Sequence, residues 1–304
     1  MRMFFKHMHN NKNNKIFHND IQYLQLISNV LHKGVKRPSR NGEVISVFGE
    51  KMEFCLKNYK VPVITTKQLA WKTCLKELLW FISGSTSNEI LQQQNVKIWN
   101  PNADVNFKKQ SNIYYEDDND LGPIYGHQWR HFNAEYKGCN ESYKNKGVDQ
   151  LNNIITALSD ENERNSRRLI MSAWNPCQLK EMVLPPCHVL SHFHVDDNKL
   201  SCAIYQRSGD VGLGVPFNMA SYAFLTCLLA KHCNLEPNKL VHFIGDAHIY
   251  EQHVEPLKEQ IKKQPNESPN VDIIKRKSID DYKLEDFKLI NYKPGDKIIM
   301  EMIA

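Results

Sequence analysis

No stretch of this 304-residue sequence is apolar over the ~20 residues a membrane-spanning helix needs. Wholly apolar pieces are short, such as Leu78-Leu79-Trp80-Phe81-Ile82. The opening MRMFFKHMHNNKNNK lacks the apolar core of a secretion signal, and with one Arg and no Ser it is a poor match to a transit peptide. The eight cysteines form no CxxC pair, which removes the commonest redox and zinc signatures and leaves reduced thiols as the expectation. There is no internal repeat. These absences predict a protein of the cytoplasm, with access to the nucleus left open. Net charge is scarce as well: 39 Lys and Arg face 34 Asp and Glu. Residues 1–20 carry Arg2, Lys6, Lys12 and Lys15 against Asp20 alone, so most of the excess sits in a short tail. A near-neutral body argues against a dedicated nucleic-acid domain but leaves room for a local anion pocket.

A hydrophobic content of 41% with 24% charged residues is globular and excludes wholesale disorder. Residues 1–20, rich in Asn, Lys and His, are expected to be a disordered tail or a leftover linker, and 21–304 the folded domain. Leu24, Ile27, Val30 and Leu31 recur at helical spacing up to Gly34. Val44–Leu56 reads as strand, 62–66 as an extended run, and Gln68–Ser83 as a helix closed by Gly84. Residues 100–120 and 137–146 are polar and aperiodic, and are expected to be surface insertions. Three strand-like runs cover 168–174, 187–195 and 200–207. An apolar helix follows over 217–233, a strand over 239–244 and an amphipathic helix over 249–263. Short strands near Val271, Phe287 and Ile298 end the chain. The mixture predicts one α+β domain, a large sheet covered by helices.

Several residues carry chemistry. In Leu184-Pro185-Pro186-Cys187-His188, two prolines hold the backbone extended and set Cys187 at the mouth of a strand. A nucleophilic thiol needs nearby positive charge, whereas most cysteines are inert and buried. A metal site built from Cys187, His188, His192 and His194 is not expected. Alternation places His188 with His192 and His194 and turns Cys187 the other way, and no second ligand cluster follows. Arg207 and Ser208, at a glycine-flexed strand end, suit a phosphate, with Arg40 and the Arg167-Arg168 pair as further cations. Glu77 lies on the apolar face of a helix beside Cys74 and Phe81. A carboxylate there must be paired or carry a raised pKa.

These residues stand inside longer strings: Glu77-Leu78-Leu79-Trp80-Phe81, Asp120-Leu121-Gly122-Pro123-Ile124-Tyr125-Gly126, Gln128-Trp129-Arg130, Tyr205-Gln206-Arg207-Ser208, Pro216-Phe217-Asn218 and Gly245-Asp246-Ala247-His248-Ile249-Tyr250. In this order, from about Tyr23 to Ala304, the chain resembles the folate-dependent thymidylate synthases. Its two insertions are similar to those of eukaryotic and large-virus members.

The resemblance implies reductive methylation of dUMP to dTMP with 5,10-methylenetetrahydrofolate as cosubstrate and no metal. It implies Cys187 as the nucleophile at C6 of the pyrimidine, with Arg207 against it favouring thiolate. Glu77, Tyr125 and His188 would manage protons and water, and Asn218 would read the base. Arg40, Gln206, Arg207, Ser208, Gly209, Asp210, His248, Ile249 and Tyr250 are implied as nucleotide contacts. Ile98, Trp99, Asp210, Leu213, Gly214, Phe217, Met302 and Ile303 are implied as folate contacts, the last two in a terminal flap. A sheet-to-sheet homodimer is implied, Arg167 and Arg168 crossing to the partner's phosphate site.

The loop Arg40-Asn41-Gly42-Glu43-Val44 departs from the family pattern by its shortness and by the charge of Glu43, and Gln68 stands where arginine is usual. His127, His192 and His194 are expected to be tolerated packing or surface changes. Two other functions compete. A pyrimidine hydroxymethylase would let water in, which Trp99 and the flap oppose, and its cytosine form would carry aspartate in place of Asn218. Weak RNA binding through the basic tail would be a salt-sensitive side activity.

Overall fold

The computed structural model describes residues 18–110 and 112–303. Helix α1 (Asn19–Lys33) buries the apolar stripe Tyr23, Leu24, Ile27 and Val30. It begins earlier than the expected boundary at residue 20. Asp20 is fully buried, and its carboxylate accepts from the Thr65 amide (2.7 Å), the Thr65 hydroxyl (2.9 Å) and the Thr66 amide (3.1 Å). Residues 18–20 therefore belong to the domain. The expected disorder of 1–17, and the RNA-binding tail with it, lies outside the described residues.

Strands β1 (Val35–Ser39) and β2 (Gly42–Cys55) form a hairpin. Residues 62–66, expected to be extended, form no strand, and 65 and 66 lie in a bend. Helix α2 (Trp71–Ile82) is the expected one, and Gly84 just past its end takes φ +77, the left-handed conformation that glycine permits. Short helices follow: α3 (Asn88–Gln93), α4 (Asn100–Ala103) and α5 (Val105–Gln110). The insertion at 100–120 is thus partly helical, and it is not all surface. Asp120 is buried, accepting from the Tyr136 hydroxyl (2.6 Å), the Gly122 amide (2.7 Å) and the Cys139 amide (2.8 Å), which tie in the second insertion.

Next come α6 (Tyr125–His131), α7 (Gln150–Ser159), β3 (Ile170–Ser172), β4 (His188–Asp196) and β5 (Lys199–Asp210). Helix α8 (Gly214–His232) is apolar on nearly every side and correspondingly buried along most of its length. The chain ends with β6 (Glu236–Tyr250), α9 (Val254–Ile261) and the pair β7 (Asn270–Ile273) and β8 (Phe287–Ile290). Two expectations fail here. Ile249 and Tyr250 extend β6 and do not open a helix, and residues near Ile298 form no strand.

The six main strands lie in the order β1-β2-β6-β5-β4-β3, antiparallel except for the parallel pair β5–β6, which α8 connects and covers. The α+β domain with one large mixed sheet is the expected architecture. Helices α1 and α8 pack on one face. The other face presents Phe48, 85% exposed, with Val35, Ile170, Tyr205 and Phe243. Among the described residues no helix is long and apolar enough to cross a membrane.

Replacing Asp20 with alanine strips the acceptor from two buried amides and a hydroxyl. The unfolding free energy should fall by about 2–4 kcal/mol, measured from the shift in denaturant midpoint. A midpoint equal to wild type would show that α1 is not tied to the 64–66 segment.

Candidate active site

Where β4, β5 and β6 leave the sheet, their ends and the loops of α2, α4 and the C-terminal segment enclose a cavity of about 830 Å3. Cys187 stands at its wall, directly before β4. Pro185 and Pro186 have free carbonyls there, and Arg207 takes both: Nε donates to Pro186 O (2.9 Å) and an Nη to Pro185 O (2.8 Å). The same guanidinium lies 3.9 Å from Cys187 Sγ. The Tyr125 hydroxyl accepts from the Cys187 amide at 2.7 Å, fixing the turn from the opposite side. Arg207 favours the thiolate as expected, but the net shift runs the other way. Burial raises the Cys187 pKa and outweighs the lowering by Arg207 and Arg40, so the resting group is a thiol.

His188 corrects the strand alternation. The β4–β5 register slips between His188 and Leu190, and this bulge turns His188 to the buried side, away from His192 and His194. Its ring lies 5.0 Å from that of Tyr125 and 5.4 Å from that of Tyr222. Burial lowers its pKa to about 4, with only partial opposition from the nearby Asn218 carboxamide, so it is a neutral imidazole.

Glu77 fulfils its expectation. Burial drives the carboxyl pKa up to about 7, although Oε1 accepts a hydrogen bond from Trp99 Nε1 (2.7 Å) that favours the ionised form. The folded chain therefore holds a proton there that the unfolded chain gives up near 4.5. The stability this contributes is full below that value and is lost as pH rises towards about 7. Phe81, Tyr125 and Trp99 line the same cavity, the Tyr125 ring 4.7 Å from that of Phe81 and 6.2 Å from that of Trp99.

Asn218, on α8, has its orientation set from a distance. Gln206 Nε2 donates both to the Ser208 carbonyl (2.9 Å) and to Asn218 Oδ1 (2.9 Å), while Gln206 Oε1 faces His242 Nε2 (2.8 Å). A backbone carbonyl accepts only, so the NH2 of Gln206 must face Ser208. That choice makes His242 the donor and turns the oxygen of Asn218 towards Gln206. His242, with a pKa lowered to about 3 by burial and by His188, is neutral, so its one ring hydrogen is on Nε2.

Of the residues marked in the sequence, Arg40, Glu77, Ile98, Trp99, Tyr125, Cys187, His188, Gln206, Arg207, Ser208, Asp210, Leu213, Gly214, Phe217, Asn218, His248, Tyr250, Met302 and Ile303 line this one cavity. Gly209, Ile249, Arg167 and Arg168 do not. The Ile249 side chain is buried on the other side of β6. A Cβ on Gly209 would stand 2.9 Å from Val215 Cγ2, so this glycine lets α8 approach β5. Arg167 and Arg168 are exposed before the edge strand β3, and among the described residues neither forms an ion pair. The local pairing with Asp160, Glu161 or Glu163 is not made.

Sequence reasoning missed Arg37 and Asp246, which form an ion pair in the cavity wall, Asp246 lying also 3.4 Å from His248 Nδ1. Asp246 sat inside a quoted motif and carried the signal; Arg37 carried none. Arg40 bonds Asn41 Oδ1 (3.0 Å) and lies 5.4 Å from the Phe107 ring of α5, while Glu43 is exposed. His127 is a packing residue, buried 4.6 Å from the Tyr143 ring. Among the described residues no group of three or more His, Cys, Asp or Glu is arranged to hold a metal.

A family model described as thymidylate synthase matches residues 21–304. A putative bifunctional dihydrofolate reductase-thymidylate synthase of Oryza sativa subsp. japonica is 47% identical over 287 residues, covering 94% of this chain and 58% of the relative. The bifunctional protein of Paramecium tetraurelia is 48% identical over 286 residues, 94% of this chain and 61% of the relative. The thymidylate synthase of Homo sapiens is 46% identical over 287 residues, 94% of this chain and 91% of the relative. The chain spans little more than half the length of the bifunctional relatives and nearly all of the single-function one.

The pKa of Glu77 is open to direct measurement. Trp99→Phe removes the indole donor that favours the ionised form, so the carboxyl titration, followed by carbon-13 NMR, should move above that of the wild type. An unchanged or lower titration point would show that the indole does not stabilise this carboxylate.

Proposed function

This chain belongs to the thymidylate synthase family, and on that premise we propose that it converts dUMP to dTMP with 5,10-methylenetetrahydrofolate, through a covalent bond between Cys187 and C6 of the pyrimidine. One observation carries the reading: the Cys187 thiol stands against the Arg207 guanidinium in the same cavity that holds Asn218 and the proton-bearing Glu77.

The steps follow from those side chains. The thiol loses its proton as the sulfur adds to C6, and the negative charge that develops on O4 and C5 meets the donor side of the Asn218 carboxamide. Oδ1 keeps a second lone pair for N3–H. Arg207, held by two backbone carbonyls, offers its remaining donors to the phosphate with Arg40 and Ser208. C5 takes the one-carbon unit from the folate, whose ring the wall of Trp99, Leu213, Phe217, Met302 and Ile303 suits by its apolar character. Glu77, titrating near pH 7, is poised to exchange protons with either ligand. Loss of the C5 proton releases tetrahydrofolate, which then gives hydride to the exocyclic methylene as the C6–sulfur bond breaks and frees the Cys187 thiolate. The products are dTMP and dihydrofolate.

The active unit in this proposal is a homodimer. The bare sheet face with Phe48, Val35, Ile170, Tyr205 and Phe243 supports burial against a second copy. The unpaired Arg167 and Arg168 are the cations such a partner would present to the phosphate.

Wild-type protein with dUMP and methylenetetrahydrofolate should generate dihydrofolate absorbance and a product with the mass of dTMP. Cys187→Ser should form none while still binding dUMP. Hydroxymethyl-dUMP as the main product would replace methylation by hydration, and an active serine variant would move the nucleophile elsewhere.

Sharing of the site is a separate prediction. Cys187→Ser chains and Arg167→Glu/Arg168→Glu chains, each inactive alone, should regain activity when unfolded and refolded together. One site of the hybrid then unites an intact cysteine with intact arginines. No regained activity, with hybrid dimers shown by mass, would assign both arginines to their own chain.

A further inference from the structure

His253 belongs to none of the motifs that mark the cavity and does not line it, yet it is fully buried directly behind it. It ends the 3-10 turn Glu251–His253 that follows β6. Its Nε2 lies 2.7 Å from the backbone carbonyl of Glu301, on the segment that carries Met300, Met302 and Ile303 into the cavity wall. A carbonyl only accepts, so Nε2 carries the hydrogen. The other ring nitrogen lies 3.7 Å from Asp210 Oδ1.

The charged and titratable groups around the ring are Asp210, Lys67, His248 and Tyr250. Burial opposes charge on His253, but the Asp210 carboxylate and the Glu301 carbonyl outweigh it and favour the imidazolium. Asp210 in turn accepts the amides of Gly212 (2.9 Å) and Leu213 (3.3 Å), and Lys67 Nζ donates to the Gly212 carbonyl (2.7 Å). A Cβ on Gly212 would fall 2.7 Å from His253 Nδ1 and 3.2 Å from Met300 Sδ, so three chain segments converge on this ring with no spare room.

We propose that His253 is a positioning residue for the folate half of the site: it bridges Asp210 on β5 to the Glu301 carbonyl and thereby holds residues 300–303 against the ligand. The segment from 291 to 303 has no helix or strand of its own and so no ladder to fix it. A buried, charge-assisted hydrogen bond to its backbone supplies that register independently of side-chain identity in the segment. Asp210 links the two halves. Its amide partners hold Leu213, part of the folate wall, while His253 holds the segment that brings Met302 and Ile303 into the same wall.

This inference rests on the cavity being a nucleotide and folate site, and the experiment keeps the two apart. His253→Ala should raise KM for methylenetetrahydrofolate and Kd for tetrahydrofolate in the presence of dUMP on the order of tenfold or more. The Kd for dUMP alone should stay as in wild type. Amides of 301–303 should exchange hydrogen faster in the complex with dUMP and tetrahydrofolate. His253→Gln places a donor near Nε2 and should restore most of the affinity. His253→Asn, whose amide reaches only the Nδ1 position, should not. In a chain lacking residues 301–304, His253→Ala should bring no further loss of tetrahydrofolate affinity.

Unchanged folate KM and exchange in an active His253→Ala protein would overturn the proposal and leave the methylation reading intact. An equal additional loss in the truncated chain would make His253 a general packing residue and overturn it too. A wild type that forms no dTMP would sink the methylation reading alone, because hydrogen exchange at 301–303 still reports on the bridge.

Discussion

Two carbonyl groups that no strand can use, those of Pro185 and Pro186, are taken by the guanidinium of Arg207, and the geometry of the cleft hangs on that exchange. Proline removes the amides that would zip this stretch into the sheet. The carbonyls left over are buried acceptors in need of a donor, and a planar fork satisfies both from one side. Two ends of the sheet are thereby locked together, β4 where it begins and β5 where it ends. A cation sits beside the sulfur with most of its freedom already lost, so little remains to be ordered when an anion arrives. The Tyr125 hydroxyl on the opposite side and the Arg207 amide, which donates to the Cys187 carbonyl at 2.9 Å, complete the hold on the backbone of Cys187.

Burial then divides the work among the ionisable groups. It pushes Glu77 up towards neutrality and keeps its proton, pushes His188 and His242 down and keeps theirs off, and holds Cys187 as a thiol. None of these depends on a partner of opposite charge, and all are consequences of excluding water from one end of the sheet. Charge pairing enters only at the rim, where Arg37 meets Asp246, and behind the cleft, where Asp210 meets His253.

The sequence disclosed the site where the chemistry is local, and lost it where geometry intervenes. Cys187 with its two prolines, Glu77 on an apolar helix face, and the run from Tyr205 to Ser208 were legible, because their neighbours within a few positions create their environment. Ile249 was not: the motif sets it among the nucleotide contacts and the periodicity at the start of a helix, whereas it lies in β6 with its side chain buried away from the cavity. His188 was not: a one-residue bulge reverses its face, and a bulge has no signature in strand composition. Asp20 looked like the last residue of a polar tail because its partners, Thr65 and Thr66, are far along the chain. His253 escaped for the same reason, its partner being a backbone carbonyl that carries no sequence identity. Most of the fold was legible as elements, while strand ends and the unpaired C-terminal segment were set by tertiary contacts.

The strand order has a consequence for the birth of the protein on the ribosome. β2 is made early, yet one of its edges is completed only by β6, with Val44 opposite Tyr250 and Phe54 opposite Leu240. β5 in turn runs parallel to β6 and needs α8 before the two can meet. The sheet cannot close until nearly the whole chain has been translated. Pairings of such long sequence separation make folding slow and leave strand edges and apolar faces uncovered in the meantime. The chain should therefore lean on chaperones during synthesis, and a stop codon before residue 250 should yield an aggregating fragment, not a smaller stable core.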